Sequence, residues 1–246
     1  MKIAVCYRGH LRTLSKTFEN QKEQLFQDHE VDFFCHTWNQ YPDEIDFLKN
    51  VVKPKKLLVE TPKSFEFNPY NSIEFNSNNM NLNSIPEKTK KIENGYLQSM
   101  PYNVLSMMYS LHQVNIIRKE YSQINNINYD SILVIRPDIY FYDKFLYNEV
   151  DLKKINISWY ENIGDRLNNP LAIIDHIALS SVQNIEVYCD CFLYIPFYYF
   201  NKSVPFVHET LLGSHVMSNQ ININMINARH KVIRIENYKH YDNLDK

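Results

Sequence analysis

The sequence predicts an α/β fold, a mostly parallel central sheet flanked by helices, from three observations. Short apolar runs alternate with helical periodicity over residues 2–60 in the order β-α-β-α-β. Residues 128–143, NYDSILVIRPDIYFYD, carry Ile132, Leu133, Val134 and Ile135 without a polar break, as a strand buried on both faces would. A long amphipathic helix leads into that run, as the crossover into a central parallel strand does.

The 246 residues suit one domain with a sizeable core. The net charge of −2 gives no general attraction to nucleic acid or an anionic membrane surface. No run reaches the roughly 18 apolar residues of a membrane span. The opening MKIAVCYR turns polar too soon for a signal peptide and reads as a strand. Cys6, Cys35, Cys189 and Cys191 form no CxxC pair, so free buried thiols in a reducing compartment are expected.

Residues 2–7 form the first predicted strand. Arg8-Gly9-His10-Leu11-Arg12 then turns into a helix whose apolar face is Leu11, Leu14, Phe18 and Leu25. Gly9 permits a tight turn, and two arginines beside a helix start make an anion site. Residues 30–36 form the second strand, with Thr37 and Trp38 at its exit. Pro42, Asp43 and Glu44 open a second helix with Ile45, Leu48 and Val52 on its inner face. Residues 56–60 are the third strand. The Asn- and Ser-rich stretch 61–96 has no period and reads as a flexible flap. Val104, Met107, Met108, Leu111, Val114, Ile117 and Tyr121 set the face of a helix over residues 99–121. Pro137 ends the central strand, leaving Arg136 and Asp138 at its carboxyl end, where open α/β sheets bind ligands, or else where an Arg–Asp ion pair closes the strand.

Later elements are expected as a strand at 155–160, a loop at 161–170 and an apolar strand at 171–180 broken only by Asp175 and His176. A helix follows with Ile185, Tyr188, Phe192 and Ile195 inward, then a helix opening at Val207-His208-Glu209, and short strands at 221–226 and 232–236. Two ionisable groups within an apolar run need partners or a purpose.

Only four glycines are present, and neither GxGxxG nor GxxxxGK[ST] occurs. Any phosphate must therefore be held by side chains, a metal or a helix start. There is no GxSxG elbow and no HExxH; His208-Glu209 with His215 resembles a zinc site only loosely. Asp138 is the natural ligand for Mg²⁺ or Mn²⁺. Arg8, Arg12 and Arg136 could supply positive charge instead of, or beside, a metal. Asp175 and Glu209 are the later carboxylates able to act as base, or else form an ion pair and a first-turn helix acid.

KIAVCYRGHLRT followed by a helix, VDFFCHTWN, and a long helix entering YDSILVIRPDIYF together resemble a group of small glycosyltransferases of surface-polysaccharide gene clusters and large viruses. In that group the first strand ends in a Gly-x-x-Arg turn, the second in His-Thr-Trp, and the fourth in Arg-x-Asp. The last stands in the place of the Asp-x-Asp motif of GT-A glycosyltransferases. Asp175-His-Ile-Ala-Leu-Ser-Ser and His208-Glu209-x-Leu-Leu resemble its acceptor-side segments.

The resemblance implies a GT-A-like domain over residues 1–246, with 1–145 as the nucleotide-sugar-binding half and 146–246 as the acceptor-side half. It implies transfer of a sugar from a nucleotide-diphosphate donor to a glycan or lipid-linked acceptor in surface polysaccharide biosynthesis. The setting it implies is the cytoplasm, at the cytoplasmic face of a membrane where the acceptor is lipid-linked. Arg8, Gly9, Arg12, Thr37, Trp38, Arg136 and Asp138 fall to the donor, and Asp138 to a divalent cation, Mn²⁺ or Mg²⁺. Arg136 stands where the first acid of Asp-x-Asp would be and repels a cation, so arginines alone could neutralise the diphosphate. Two alternatives stand beside it: a non-catalytic carbohydrate- or partner-binding domain of the same fold, and a sugar nucleotidyltransferase, which would need a Gly-rich first loop.

Overall fold

A computed structural model describes residues 1–68, 72–76, 101–158 and 172–234. Its centre is a seven-stranded sheet, in which β1 (Lys2–Arg8) is flanked by β2 (Glu30–Trp38) and β6 (Ser131–Ile135). From β2 the sheet continues to β3 (Lys56–Glu60). From β6 it continues to β9 (Ile177–Ser180), β8 (Ile155–Ser158) and β10 (Ile223–Ile226). Every pairing is parallel except those of β9, which runs antiparallel to both β6 and β8. The expected α/β class and mostly parallel sheet are therefore present, an arrangement compatible with a GT-A fold without being specific to it.

The β1–β6 boundary is where the chain changes direction across the sheet. β1, β2 and β3 are laid down outward on one side. The chain then returns through α3 (Pro101–Asn125) to place β6 against the other side of β1. Such a switch opens a crevice at the strands' carboxyl ends.

Strand pleating sorts the core into two layers. Ile3, Val5 and Tyr7 of β1 pack with α1 (Leu14–Gln21), α2 (Pro42–Phe47) and the wider-pitch turns that extend them, Lys22–Phe26 and Leu48–Val52. Ala4 and Cys6 face the opposite layer of α3, α4 (Val182–Pro196) and α5 (His208–Ser218). β6 is buried at all five positions, as its unbroken apolar run requires. The four cysteines are free and buried.

Several details differ from the expectations. Residues 64–68 and 72–76 form an antiparallel hairpin, β4 (Ser64–Asn68) with β5 (Ser72–Asn76), where the flap was expected to lack structure. Residues 69–71 and 77–96 of that flap, the 161–170 loop and the end of the last expected strand lie outside the described residues. The strand expected over 171–180 begins only at Ile177. Asp175 and His176 precede it because their polar groups turn away from the ladder to partners on other elements. The stretch after Pro137 forms its own short strand, β7 (Ile139–Phe141), paired antiparallel with β11 (His230–Val232).

Candidate functional site

The turn after β1 and the corner after β6 meet across the sheet's switch. α1 holds the corner: Thr17 Oγ1 donates to the Pro137 carbonyl at 2.6 Å, and Gln21 Nε2 donates to the carbonyls of Pro137 at 3.0 Å and Ile139 at 2.7 Å. Gln21 is itself aimed by the Tyr7 hydroxyl, which donates to its Oε1 at 2.7 Å. The turn is just as constrained. Gly9 has φ +82° and Arg12 φ 45°, both in the left-handed region. For arginine that conformation stores about 1–2 kcal/mol, and such strain clusters at ligand sites. The Gly9 amide donates to Ser110 Oγ on α3 at 2.7 Å.

Behind Ser110 lies a buried relay. Ser110 Oγ is 2.7 Å from His36 Nδ1, and His36 Nε2 is 2.9 Å from Glu60 Oε2. Glu60 also accepts from Tyr109 and pairs with Lys63 at 2.6 Å. His36 above all, against the cost of burial, and then Lys63 and Tyr109 hold the Glu60 carboxyl down to about 2. An ionised Glu60 requires a proton on His36 Nε2. Burial keeps His36 neutral, with its pKa below the ordinary value. Nδ1 then accepts the Ser110 hydroxyl proton, which leaves a Ser110 lone pair for the Gly9 amide.

A cavity of about 300 Å³ opens above this floor. Arg8, Arg12 and Arg136 all contribute to its wall, with Trp38, Asp175 and His208 around them. Two ion-pair systems set its charge. Arg136 clamps Asp138 with Nε on Oδ1 at 2.9 Å and Nη2 on Oδ2 at 2.8 Å, and Arg12 Nη1 reaches the same Oδ2 at 3.1 Å. Burial pushes the Asp138 carboxyl up, but Arg136 and Arg12 more than reverse this and hold it below the usual range. Asp138 is 1% exposed, beneath its arginines.

The second system begins at Arg8, whose Nη2 donates to the Asp175 carbonyl and to Asp175 Oδ2, the latter at 2.8 Å. Asp175 Oδ1 faces His208 Nε2 at 3.5 Å, and His208 Nε2 faces Glu209 Oε1 at 3.0 Å. Burial opposes the charge on His208, yet Asp175 and Glu209 raise its pKa to about 10. Asp175 is held well below the carboxylate range, as His208 and Arg8 outweigh its burial. Glu209 Oε2 is buried with no hydrogen-bond partner. Asp175, His208 and Glu209 bring one ligand atom each within 4.8 Å of one another, a donor set able to hold a metal ion.

No family model matches the chain. Nor does any curated protein match it significantly. The function must therefore be argued from the site itself.

Of the residues expected at the site, Arg8, Gly9, Arg12, Trp38, Arg136 and Asp175 line the cavity. Asp138 and Glu209 stand behind its wall, paired with residues that line it. Thr37 is buried, and its hydroxyl lies 3.5 Å from the Trp38 carbonyl, outside the wall. Asp138, the expected cation ligand, has both oxygens occupied by guanidinium groups, and a divalent ion there would have to displace at least one. Sequence reasoning missed His10, Asn103, Ser106 and Met107 in the wall. It also missed His208 as a partner of Asp175. The available signal was the polar pair Asn103 and Ser106, one turn apart, interrupting the apolar stripe at the start of α3.

Proposed function

We propose that the protein is a glycosyltransferase that binds a nucleotide-diphosphate sugar in the cavity over β1 and β6 and transfers the sugar to a glycan or lipid-linked acceptor. The observation that carries this reading is the convergence of Arg8, Arg12 and Arg136 on one cavity at the sheet's switch. Sugar transfer leaves negative charge on the departing diphosphate. Preorganised guanidinium groups in a partly desolvated site stabilise that charge and match phosphate geometry with paired N–H donors. Arg136 and Arg12 are each partly exposed, at 19% and 29%, while Asp138 beneath them is buried. Asp138 in this reading is a positioning residue that aims two arginines at the donor. Trp38 borders the cavity from the core, stacked on Tyr109 and 1% exposed, and so shapes the wall.

The acceptor needs a base. Of the two expected carboxylates, Asp175 has Oδ2 committed to Arg8, whereas Glu209 Oε2 has no donor. Glu209 is therefore the less committed of the two carboxylates, although its Oε2 is buried behind the cavity wall, with His208 and Asp175 setting its position. The resemblance to polysaccharide-cluster enzymes supports a surface-glycan acceptor and a place at the cytoplasmic face of a membrane. Among the described residues no helix is long and apolar enough to cross one.

Calorimetry with UDP, GDP and CDP tests the reading. One nucleotide diphosphate should bind at micromolar concentration, and Arg136→Ala should weaken it at least tenfold. Binding of none would favour a non-catalytic domain, a reading that the full engagement of Asp138 also suits.

A further inference from the structure

We propose that Asp175, His208 and Glu209 form a binding site for one divalent first-row metal ion, of the Mn²⁺ or Zn²⁺ class, separate from Asp138. The distances carry the argument. His208 Nε2 lies 3.5 Å from Asp175 Oδ1 and 3.0 Å from Glu209 Oε1. Ligand atoms about 2.0–2.2 Å from a shared ion are separated by roughly 3.0–3.5 Å along a tetrahedral or octahedral edge. The longer contact falls at such an edge, and the three ligand atoms together lie within 4.8 Å of one another. One imidazole nitrogen with two carboxylate oxygens is a donor set suited to Mn²⁺ or Zn²⁺ rather than to Cu⁺ or an iron–sulfur cluster.

The surroundings are those of a held ligand set. Arg8 fixes the Asp175 carboxylate through Oδ2 and leaves Oδ1 directed at His208, as outer-shell partners orient metal-binding carboxylates. Glu209 gives Oε1 to the cluster while Oε2 stays buried without a partner, so one of its oxygens remains unclaimed. Asp175 and His208 border the cavity, so an ion there would be open to a further ligand from it.

The arginines nearby oppose a cation, and this sets an expectation. The formal charges of Arg8, Arg12 and Arg136 cancel those of Asp138, Asp175 and Glu209, leaving the proton that His208 Nε2 shares with its two carboxylates. A divalent ion would take the place of that proton, raise the net charge by one and make the cavity more complementary to a diphosphate. That coupling rests on the glycosyltransferase reading; the ion site itself does not.

The experiment uses the full chain, freed of metal by chelation and titrated with Mn²⁺ alone, followed by electron paramagnetic resonance. One ion should bind per chain, with nitrogen modulation from an imidazole in the pulsed spectrum. His208→Ala should remove the nitrogen signal, and Glu209→Gln should weaken binding at least tenfold. Glu209→Gln retains an amide oxygen for His208 and leaves the Arg8–Asp175 pair intact, so its circular dichroism should match the parent's even where its melting temperature falls. Absence of stoichiometric binding by the parent would overturn the site. So would binding without a nitrogen signal, or binding unchanged in both variants. Mn²⁺ binding without any nucleotide binding keeps the ion site and defeats the glycosyltransferase reading; nucleotide binding without Mn²⁺ does the reverse.

Discussion

Asp138 sits between two guanidiniums that come from different elements, so its charge holds together what would otherwise repel. Removing one partner of a buried ion pair typically costs about 3–5 kcal/mol, because the partner is left uncompensated. Arg12 and Arg136 are partly exposed, which places Asp138→Asn toward the lower end, about 3 kcal/mol, read as a fall in the urea midpoint. The same variant should weaken nucleotide-diphosphate binding, since the arginines lose their aim; unchanged affinity would refute the positioning role. Glu60 makes the corresponding prediction for pH. Its folded pKa is depressed to about 2 from the ordinary 4.5. A depressed carboxylate contributes stability that is full above its unfolded value and is lost as pH falls through its folded one. The melting-temperature gap between the parent and Glu60→Gln should be constant from pH 7 to about 5 and should close progressively as pH falls toward about 2. A gap that does not narrow would show that the relay to His36 and Gly9 does not depend on this charge.

At the scale of the elements, local chemistry was readable and long-range pairing was not. The unbroken apolar run of β6 announced a strand with two covered faces. The period of α3 gave its inner face, and Pro137 marked where the ladder stops. Nothing local distinguishes β9, whose apolar residues would serve a parallel strand equally well; its reversed direction follows from where its neighbours lie. Asp175 looked like a polar residue within a strand because its partner, Arg8, lies 167 positions away. Likewise, Arg136 and Asp138 were legible as a corner, but Arg12 joining them required the fold. The β1–α1 turn offers a test of its backbone alone. A Cβ built on Gly9 meets nothing within 4 Å, yet its φ is +82°. Gly9→Ala should therefore cost about 1–2 kcal/mol through conformation and not through contact. A thermal melt would show it, and an Ala variant as stable as the parent would mean that the turn relaxes to another geometry.

At the scale of the whole molecule, the most deeply buried ion pair between residues 1–145 and 146–246 among the described residues is Arg8–Asp175. Arg8 ends β1, and Asp175 precedes the reversed strand β9, both with side chains under 5% exposed. A buried pair of this kind is weak evidence of net stabilisation, because the cost of taking both charges from water can match their attraction. Its removal in halves and as a whole should therefore differ sharply. Arg8→Met leaves Asp175 with His208 alone, and Asp175→Leu leaves a guanidinium buried against apolar neighbours; each should cost several kcal/mol. The double variant, which leaves neither charge stranded, should cost less than the sum of the two by about 0.5–3 kcal/mol, the range found for residues in direct contact. Urea denaturation of the four proteins gives that coupling. The double variant should stay folded and still lose nucleotide-diphosphate affinity, because Arg8 is one of the three arginines lining the cavity. Additive costs would show that Arg8 and Asp175 act independently. A folded double variant with full affinity would show that the diphosphate is held without Arg8, by Arg12 and Arg136 alone.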